Sequence, residues 1–300
     1  MKQWLFSVVI PAYNAELCIA EALDSIARQT LTDFEVVVVD DGSSDGTSTR
    51  VRNWAAAHPH VELRLVRQDN RGIGEARNAG VRAATGACVA FLDADDLWLE
   101  KKLEAVAGRL NGAGAADLIC HDEWLEEDGA KTRRLTHGPY ATYRDLLFKG
   151  NTVSTSAAVV RRERVLAVGG FSPDLRLNGM EDYDLWLRLA RAGCAFDYLH
   201  EVLGIYRVHG RGIASRIEEH YEHGLNLLAD HFQAWPGRSA YDRFLMRKRR
   251  SDMFRAAGRA FGKRGEHHKA LAFIRKALRE NPFSVKGWVL CVLNLRRVQL

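Results

Sequence analysis

Four short apolar runs, each followed by a polar turn and a stretch of helical spacing, limit what this chain can fold into. They are Phe6–Ile10, Phe34–Val39, Val61–Arg67 and Ala87–Leu92. Pro11 is expected to stop the first, after which Leu17, Ile19, Ala20, Leu23, Ile26 and Ala27 recur on one helical face. The second run is nearly all valine and predicts a strand buried on both faces, as in a parallel sheet. A helix capped by Thr47 or Asp45 and continuing to about Ala57 follows it, and another over Glu75–Ala84 follows the third. Strand and helix alternating at such short intervals give an α/β fold with a doubly wound sheet.

Ligands of such sheets bind beyond the carboxyl ends of the strands. Three of those ends carry polar loops: Pro11–Asn14, Asp40–Thr47 and Asp93–Asp96. In Asp93-Ala94-Asp95-Asp96 a buried strand runs straight into three carboxylates, which is costly unless positive charge compensates them. Hard oxygen ligands of this kind suit Mg²⁺ or Mn²⁺, with phosphate oxygens completing the shell. A solvated acidic turn, with Asp95 or Asp96 capping a helix that begins near Leu97, explains the same residues. Gly72-Ile73-Gly74 is not a dinucleotide fingerprint: position 77 is Arg, and the motif follows the third strand instead of the first. It is a turn that lets Arg77 and Asn78 face the crevice.

Beyond Lys101 a helix leads to a turn at Asn111-Gly112-Ala113-Gly114. A short strand at Leu118–Cys120, a hairpin or loop over 126–138 with Gly129 at its tip, a strand over Ser154–Val160 and a helix around Arg162–Val168 are expected next. Leu185, Leu189 and Ala192 then mark one face of a helix with Glu181 and Asp182 at its start. Acidic residues there complement the helix dipole, which accounts for one carboxylate more easily than for three, counting Asp184. The tail predicts helices over 218–232, 241–262, 267–280 and 285–295. Phe254, Ala257, Gly258, Phe261, Ala270, Ala277 and Pro282 have the spacing of one tetratricopeptide-like hairpin. An ordinary amphipathic pair fits as well. The Arg247-Lys248-Arg249-Arg250 cluster and the apolar run Trp288–Leu293 suit an anionic membrane surface or a partner, or a solvated face over core packing.

The 300 residues, 47% apolar and 27% charged with a formal net charge of +5, are those of an ordinary globular protein with ample core. Nothing in this balance calls for a nucleic-acid partner. Cysteines at 18, 88, 120, 194 and 291 form no CxxC pair and predict reduced core thiols. The start leaves no room for a signal peptide, and no stretch is apolar for long enough to span a bilayer. The expected location is cytoplasmic, with any membrane contact peripheral at the inner face.

Five motifs in this order resemble the family 2 glycosyltransferases with the GT-A fold: Ser7–Asn14, Val38–Ser43, Ala76-Arg77-Asn78, Leu92–Asp96 and Glu181–Trp186. The resemblance covers roughly Ser7 to His209. It implies a Rossmann-like mixed sheet over 1–215, divided into a nucleotide-binding half (1–110) and an acceptor half (111–215), with a helical extension over 216–300. It further implies transfer, with inversion, from a nucleotide-diphosphate sugar, usually UDP-linked, to a glycan or lipid-linked acceptor. Carried over by position, Pro11, Ala12, Tyr13 and Asp41 would contact the base with Asp40 beside it. Asn14, Arg77, Asp93 and Ala94 would complete the nucleotide-sugar pocket. Asp93 and Asp95 would hold Mg²⁺ or Mn²⁺, Asp182 would be the catalytic base with Glu181 its nearest substitute, and His209 would approach the diphosphate or metal. The Gln-x-x-Arg-Trp motif of processive synthases is absent, which implies one sugar per encounter. An inactive relative acting as a scaffold through its tail is the alternative, and the intact Asp93, Asp95 and Asp182 argue against it. A nucleotidyltransferase would need a Gly-rich, Arg-containing loop after the first strand, which this chain lacks.

Overall fold

The computed structural model describes residues 4–110, 116–208 and 217–298. The turn expected at Asn111–Gly114, His209 and the boundary expected near residue 215 lie outside the described residues. The chain divides into two units. The first runs through Leu146 and resumes over Asn151–Pro173 and from Glu181 to the end of the last strand.

In chain order the first unit carries β1 (Phe6–Ala12), α1 (Ile19–Ala27), β2 (Phe34–Asp41), α2 (Thr47–Ala57), β3 (Leu63–Gln68), α3 (Ile73–Ala83) and β4 (Cys88–Phe91). There follow β5 (Leu97–Trp98), α4 (Lys102–Leu110), β6 (Leu118–Glu127), β7 (Ala130–Leu135), the first turn of α5 (Tyr143–Lys149), β8 (Ala158–Arg161), α6 (Arg162–Ala167), α7 (Glu181–Arg191) and β9 (Phe196–Val208). The sheet order is β3-β2-β1-β4-β8-β6-β9-β5, with β7 paired to β6. The β1–β4 half is parallel, with Phe6 opposite Phe34 and Val9 opposite Phe91. β8 turns the sheet mixed by running antiparallel to β4, with Ala90 opposite Val159.

Alternate residues of the central strands feed two cores. Val8, Ile10, Val36 and Val38 pack with Leu23 and Ile26 of α1, Trp54 of α2 and Val106 of α4. Val9, Val37, Val39 and Phe91 pack on the other face with Ala76 and Val81 of α3, Phe171, and Leu185, Trp186 and Leu189 of α7. The Phe91 ring meets Phe171 edge-on at 5.2 Å and Trp186 at 6.4 Å. Aromatic pairs of this kind add about 0.5–1.5 kcal/mol to burial alone.

Several boundaries differ from the sequence expectations for identifiable reasons. β1 does not stop at Pro11, which pairs with Val39 beyond the last β1–β4 pair, where that flank of the strand needs no donor. Leu97 starts no helix: Leu97 and Trp98 pair with Ile205 and Gly204 of β9 as a two-residue strand, and α4 begins at Lys102. β6 continues far past Cys120, because its polar residues are compensated inside the fold. Buried Asp122 accepts from Arg134 Nε (3.0 Å) and Nη2 (2.6 Å), and Glu123 contacts His137 (3.0 Å). β8 begins at Ala158, since Thr155–Ala157 turn, with Ala158 N donating to the Thr155 carbonyl. The 13-residue β9 and α5 had no expectation.

The second unit comprises Leu147–Gly150, Asp174–Met180 and the C-terminal helices. These are α8 (Ile217–Ala234), α9 (Ala240–Lys263), α10 (His267–Glu280) and α11 (Val285–Val298). Ser239 and Asp242 close a capping box at the start of α9. α9 and α10 form the expected hairpin: Ala257 and Phe261 share a core with Ala270 and Ile274. A Cβ at Gly258 would lie 2.6 Å from Ile274 Cγ1, so the helices approach at that point through the missing side chain. The basic cluster is mostly consumed internally. Arg247 and Arg250 pair with Glu280, Lys248 with Asp252, and Arg249 is buried.

The closest approach of α3 to the sheet is at Gly80, where a Cβ would lie 2.3 Å from Val9 Cγ1. Val9 is fully buried and β-branched, so it has little room to yield. Gly80→Ala should therefore lose about 1–3 kcal/mol to overpacking. That exceeds the ~1 kcal/mol alanine gains over glycine in a helix. Urea denaturation checks this, and an unchanged midpoint would show that α3 moves aside freely.

Candidate active site

Because β1, β2 and β4 are parallel, their carboxyl ends face one side of the sheet. β8 runs the other way, so the turn at 155–157 that precedes it lies beside the end of β4. One crevice thus collects the loops after Ala12, Asp41 and Leu92 and the Thr155–Ser156 turn; the contacts below bring the start of α7 to the same place.

The first two loops are laced together. Asn14, at φ 50°, donates its backbone N–H to Ser43 Oγ (3.0 Å) and accepts from Ser44 N (3.0 Å). Ala15 N donates to Thr47 Oγ1 (2.8 Å). Asp40 is fully buried: its Oδ1 accepts from Ser43 N (2.8 Å) and its Oδ2 from Ser48 Oγ. Burial alone would raise its pKa, but these hydrogen bonds outweigh it and hold the carboxyl below its usual value. Asp41 accepts from Gln68 Nε2 (2.8 Å), Arg71 N (2.9 Å) and Gly72 N (2.9 Å), pinning the β3–α3 loop. Gly42 has φ 76°, and a Cβ there would meet Asn70 N at 2.8 Å. Pro11 and Ala12 are buried in β1, while Tyr13 is 55% exposed at its end. Asp40 and Asp41 therefore shape the loops through backbone contacts, and Tyr13 is the side chain this segment offers outward.

Arg77 occupies the centre. Its Nη2 donates to Asp93 Oδ1 (2.7 Å) and its Nη1 to Glu181 Oε1 (2.8 Å), and its guanidinium lies 5.4 Å from the Phe171 ring centre. Only 3% of the side chain is exposed. Burial works against its charge, but Asp93 and Glu181 outweigh burial and raise the pKa above the usual arginine value. Its Nε has no hydrogen-bond partner among the described residues. Next to it, Asn78 clamps Phe171 from both sides, donating to its carbonyl (2.8 Å) and accepting from its N–H (2.7 Å).

The 93–96 loop is held in place by Ser156 and Arg207. Ser156 Oγ accepts from Asp93 N (3.1 Å) and donates to Asp96 Oδ2 (2.5 Å), and its carbonyl accepts from Trp98 Nε1 (2.8 Å). Asp96 Oδ1 accepts from Arg207 N (2.9 Å), and Arg207 Nε reaches the Asp95 carbonyl. Asp96 is thus a buried anchor between β8 and β9 and caps no helix. Burial pushes its carboxyl well above the usual range, and the charges of Asp93, Asp95 and Glu123 push further. Ala94 is buried, whereas Asp93 and Asp95 stay partly exposed. The Arg77 contact of Asp93 is made through Oδ1. No group of three or more His, Cys, Asp or Glu among the described residues is arranged to hold a metal. The hard oxygens of Asp93 and Asp95 nevertheless suit Mg²⁺ or Mn²⁺ with substrate phosphate oxygens as further ligands.

At the start of α7, Glu181 is spent on Arg77. Asp182 accepts from Thr155 Oγ1 at Oδ2 (3.0 Å) and from Tyr183 N at Oδ1 (2.6 Å). Burial raises its pKa to about 6, the Glu181 charge adding to the shift while Arg77 and the two hydrogen bonds oppose it. Asp182 is still mostly ionised at neutral pH, as a base must be. Asp184 instead pairs with Arg188, whose guanidinium holds the Val168 and Gly170 carbonyls (2.6 and 2.7 Å). Thr155 and Ser156 were missed, and their signal was slight: a Ser-Thr-Ser run at the start of an apolar stretch.

The family model described as "Glycosyl transferase family 2" matches residues 7–168. The amylovoran biosynthesis glycosyltransferase AmsB of Erwinia amylovora is 32% identical over 218 residues, covering 69% of this chain and 71% of its own. A PGL/p-HBAD biosynthesis glycosyltransferase of Mycobacterium bovis is 32% identical over 217 residues, 71% of this chain and 80% of its own. Among solved structures, S. aureus TarS 1–349 in complex with UDP-GlcNAc shares the fold at TM-score 0.68 and 21% identity, covering 97% of this chain and 89% of that one. The mannosyltransferase PcManGT from Pyrobaculum calidifontis, in complex with GDP-Man and Mn²⁺, does so at TM-score 0.66 and 23% identity, covering 100% and 82%. Both share the GT-A architecture.

Arg77 compensates two carboxylates at once, so Arg77→Met should destabilise the protein by about 3–5 kcal/mol, the usual result of stranding a buried charge. Adding Glu181→Gln should restore part of that loss. Chemical denaturation of the single and double variants checks both, and an undiminished midpoint in Arg77→Met would show that water reaches these carboxylates instead.

Proposed function

The chain belongs to glycosyl transferase family 2, and from that premise we propose that it transfers a sugar, with inversion, from a nucleotide-diphosphate donor to a glycan or lipid-linked acceptor. A UDP-sugar is the first donor to test. The observation that carries this reading is Arg77, which ties the Asp93 loop to the start of α7 and so sets a carboxylate pair and a separate, ionised carboxylate about one crevice. TarS with UDP-GlcNAc and PcManGT with GDP-Man and Mn²⁺ support a nucleotide-sugar donor and a divalent ion.

On this reading the nucleotide lies over the laced loops, against Pro11, Ala12, Tyr13 and Asn14, with Asp40 and Asp41 fixing the walls and Arg77, Asp93 and Ala94 beneath the sugar and diphosphate. Mg²⁺ or Mn²⁺ on Asp93 and Asp95 would supply neutralisation of the leaving diphosphate. Asp182 takes the proton of the acceptor hydroxyl as its oxygen attacks the anomeric carbon and the bond to the diphosphate breaks. Glu181 orients Arg77 and leaves the proton transfer to Asp182. Holding donor and acceptor in line supplies much of the remaining rate.

Residues 1–215 form the transferase in this proposal, with a nucleotide-binding half over 1–110 and an acceptor half over 111–215, and 216–300 is an extension. No helix among the described residues is long and apolar enough to cross a membrane. A cytoplasmic site of action, with peripheral membrane contact through the extension, fits a lipid-linked acceptor. Biosynthesis of cell-envelope polysaccharide is the setting this proposal adopts, and AmsB, named for amylovoran biosynthesis, supports a biosynthetic role.

A thermal-shift screen of UDP-, GDP- and dTDP-sugars with Mn²⁺ identifies the donor, whose hydrolysis and transfer then report activity. Asp182→Asn should lower the rate about 10²–10⁴-fold with donor affinity preserved. In the unaltered protein the rate should fall as pH drops through about 6, because the base is then protonated. A near wild-type rate in Asp182→Asn would remove it from the chemistry. Asp95→Asn should weaken Mn²⁺-dependent donor binding in calorimetry while the fold survives, and unchanged affinity would remove Asp95 from the metal site.

A further inference from the structure

The Thr155–Ser156 turn touches both chemical ends of the crevice through adjacent hydroxyls. Ser156 Oγ accepts from Asp93 N and donates to Asp96 Oδ2, while its carbonyl is fixed by Trp98 Nε1. Thr155 Oγ1 donates to Asp182 Oδ2 at 3.0 Å. Both residues are buried, at 7% and 2% exposure, and the turn is closed by the Ala158 N–H to Thr155 carbonyl bond (3.0 Å). A turn locked in this way is a spacer of fixed length between the 93–96 loop and α7.

We propose that Thr155 is a positioning residue for Asp182: its hydroxyl orients the carboxylate and holds it in the proton-accepting form, at a distance from the 93–96 loop set by Ser156. This inference rests on the reading of Asp182 as the base and names what governs that base. The donors from Tyr183 N and Thr155 Oγ1 fall one on each carboxylate oxygen, which fixes the plane of the group and leaves lone pairs for an acceptor hydroxyl. The charged groups facing Asp182 are Arg77 from α3 and Glu181 from its own helix. The 154–157 segment brings hydroxyls and no charge. Removing the Thr155 hydroxyl takes one donor from the charged form and leaves burial and Glu181 to raise the proton affinity further.

The test uses the full-length chain with ¹³C at the aspartate carboxyls, following the Asp182 signal, identified by its loss in Asp182→Asn, through a pH titration. Wild type should titrate near 6. Thr155→Val should titrate about one unit higher, the scale of one hydrogen bond to a charged group. Thr155→Ser, which keeps the hydroxyl, should match wild type, and Thr155→Ala carries the same expectation as valine if valine does not fold. The acid limb of donor hydrolysis with Mn²⁺ should move by the same amount, with donor affinity unchanged. A midpoint that stays put while Asp182→Asn is inactive overturns the role of Thr155 alone. A midpoint that moves while Asp182→Asn keeps its full rate overturns the base assignment, and this role with it.

Discussion

The guanidinium of Arg77 lies between carboxylates that arrive from distant parts of the chain, Asp93 at the end of β4 and Glu181 at the start of α7. Neither carboxylate is easily tolerated where it sits without a positive partner, and the arginine is not tolerated without them. The three groups therefore specify one another's positions. Around them the hydrophobic core supplies most of the stabilisation, through Phe91, Phe171 and Trp186, but that packing has no preference for where charges meet. The ion pairs decide that α7 begins against the 93–96 loop.

Other carboxylates of the crevice show how differently one chemical group is used. Asp40 and Asp41 accept from hydroxyl, amide and backbone N–H donors of their own and neighbouring loops and act as loop anchors. Asp96 is buried among like charges and ties the turn before β8 to β9 through Ser156 and Arg207. Asp93 and Asp95 keep partial exposure, and Asp182 is half-buried with one donor on each oxygen. Exposure and remaining lone pairs, more than residue type, separate the groups suited to ligand chemistry from those that brace it.

In the helical unit the same accounting reduces an apparent signal. Four consecutive basic residues look like an anion-binding patch, but Arg247 and Arg250 share Glu280, Lys248 pairs with Asp252, and Arg249 is buried, so part of the positive charge is offset within the fold. Apolar residues are open as well: Val285, Trp288, Val289 and Val292 of α11 are about half exposed or more.

The sequence by itself determined the alternation of strand and helix, the parallel half of the sheet, the acidic loops at its strand ends and the four C-terminal helices. These follow from local periodicity, from β-branched runs and from residues that favour turns, so short windows carry the information. It could not show that β6 runs on past Cys120 or that β9 exists at its full length, because their charged residues find partners only across the sheet, as Asp122 does with Arg134 and Asp96 with Arg207. Nor could it assign roles within the acidic motifs. Asp96 resembles a ligand-binding carboxylate in the linear chain, and only the fold shows it buried and bonded to Ser156 and Arg207. The same holds for Thr155 and Ser156, whose meaning comes from an antiparallel strand that brings their turn to the end of β4. Side-chain pairing over separations such as the 104 residues between Arg77 and Glu181 depends on tertiary geometry, since hydrogen bonds and buried charges act over a few ångströms and leave no local periodicity.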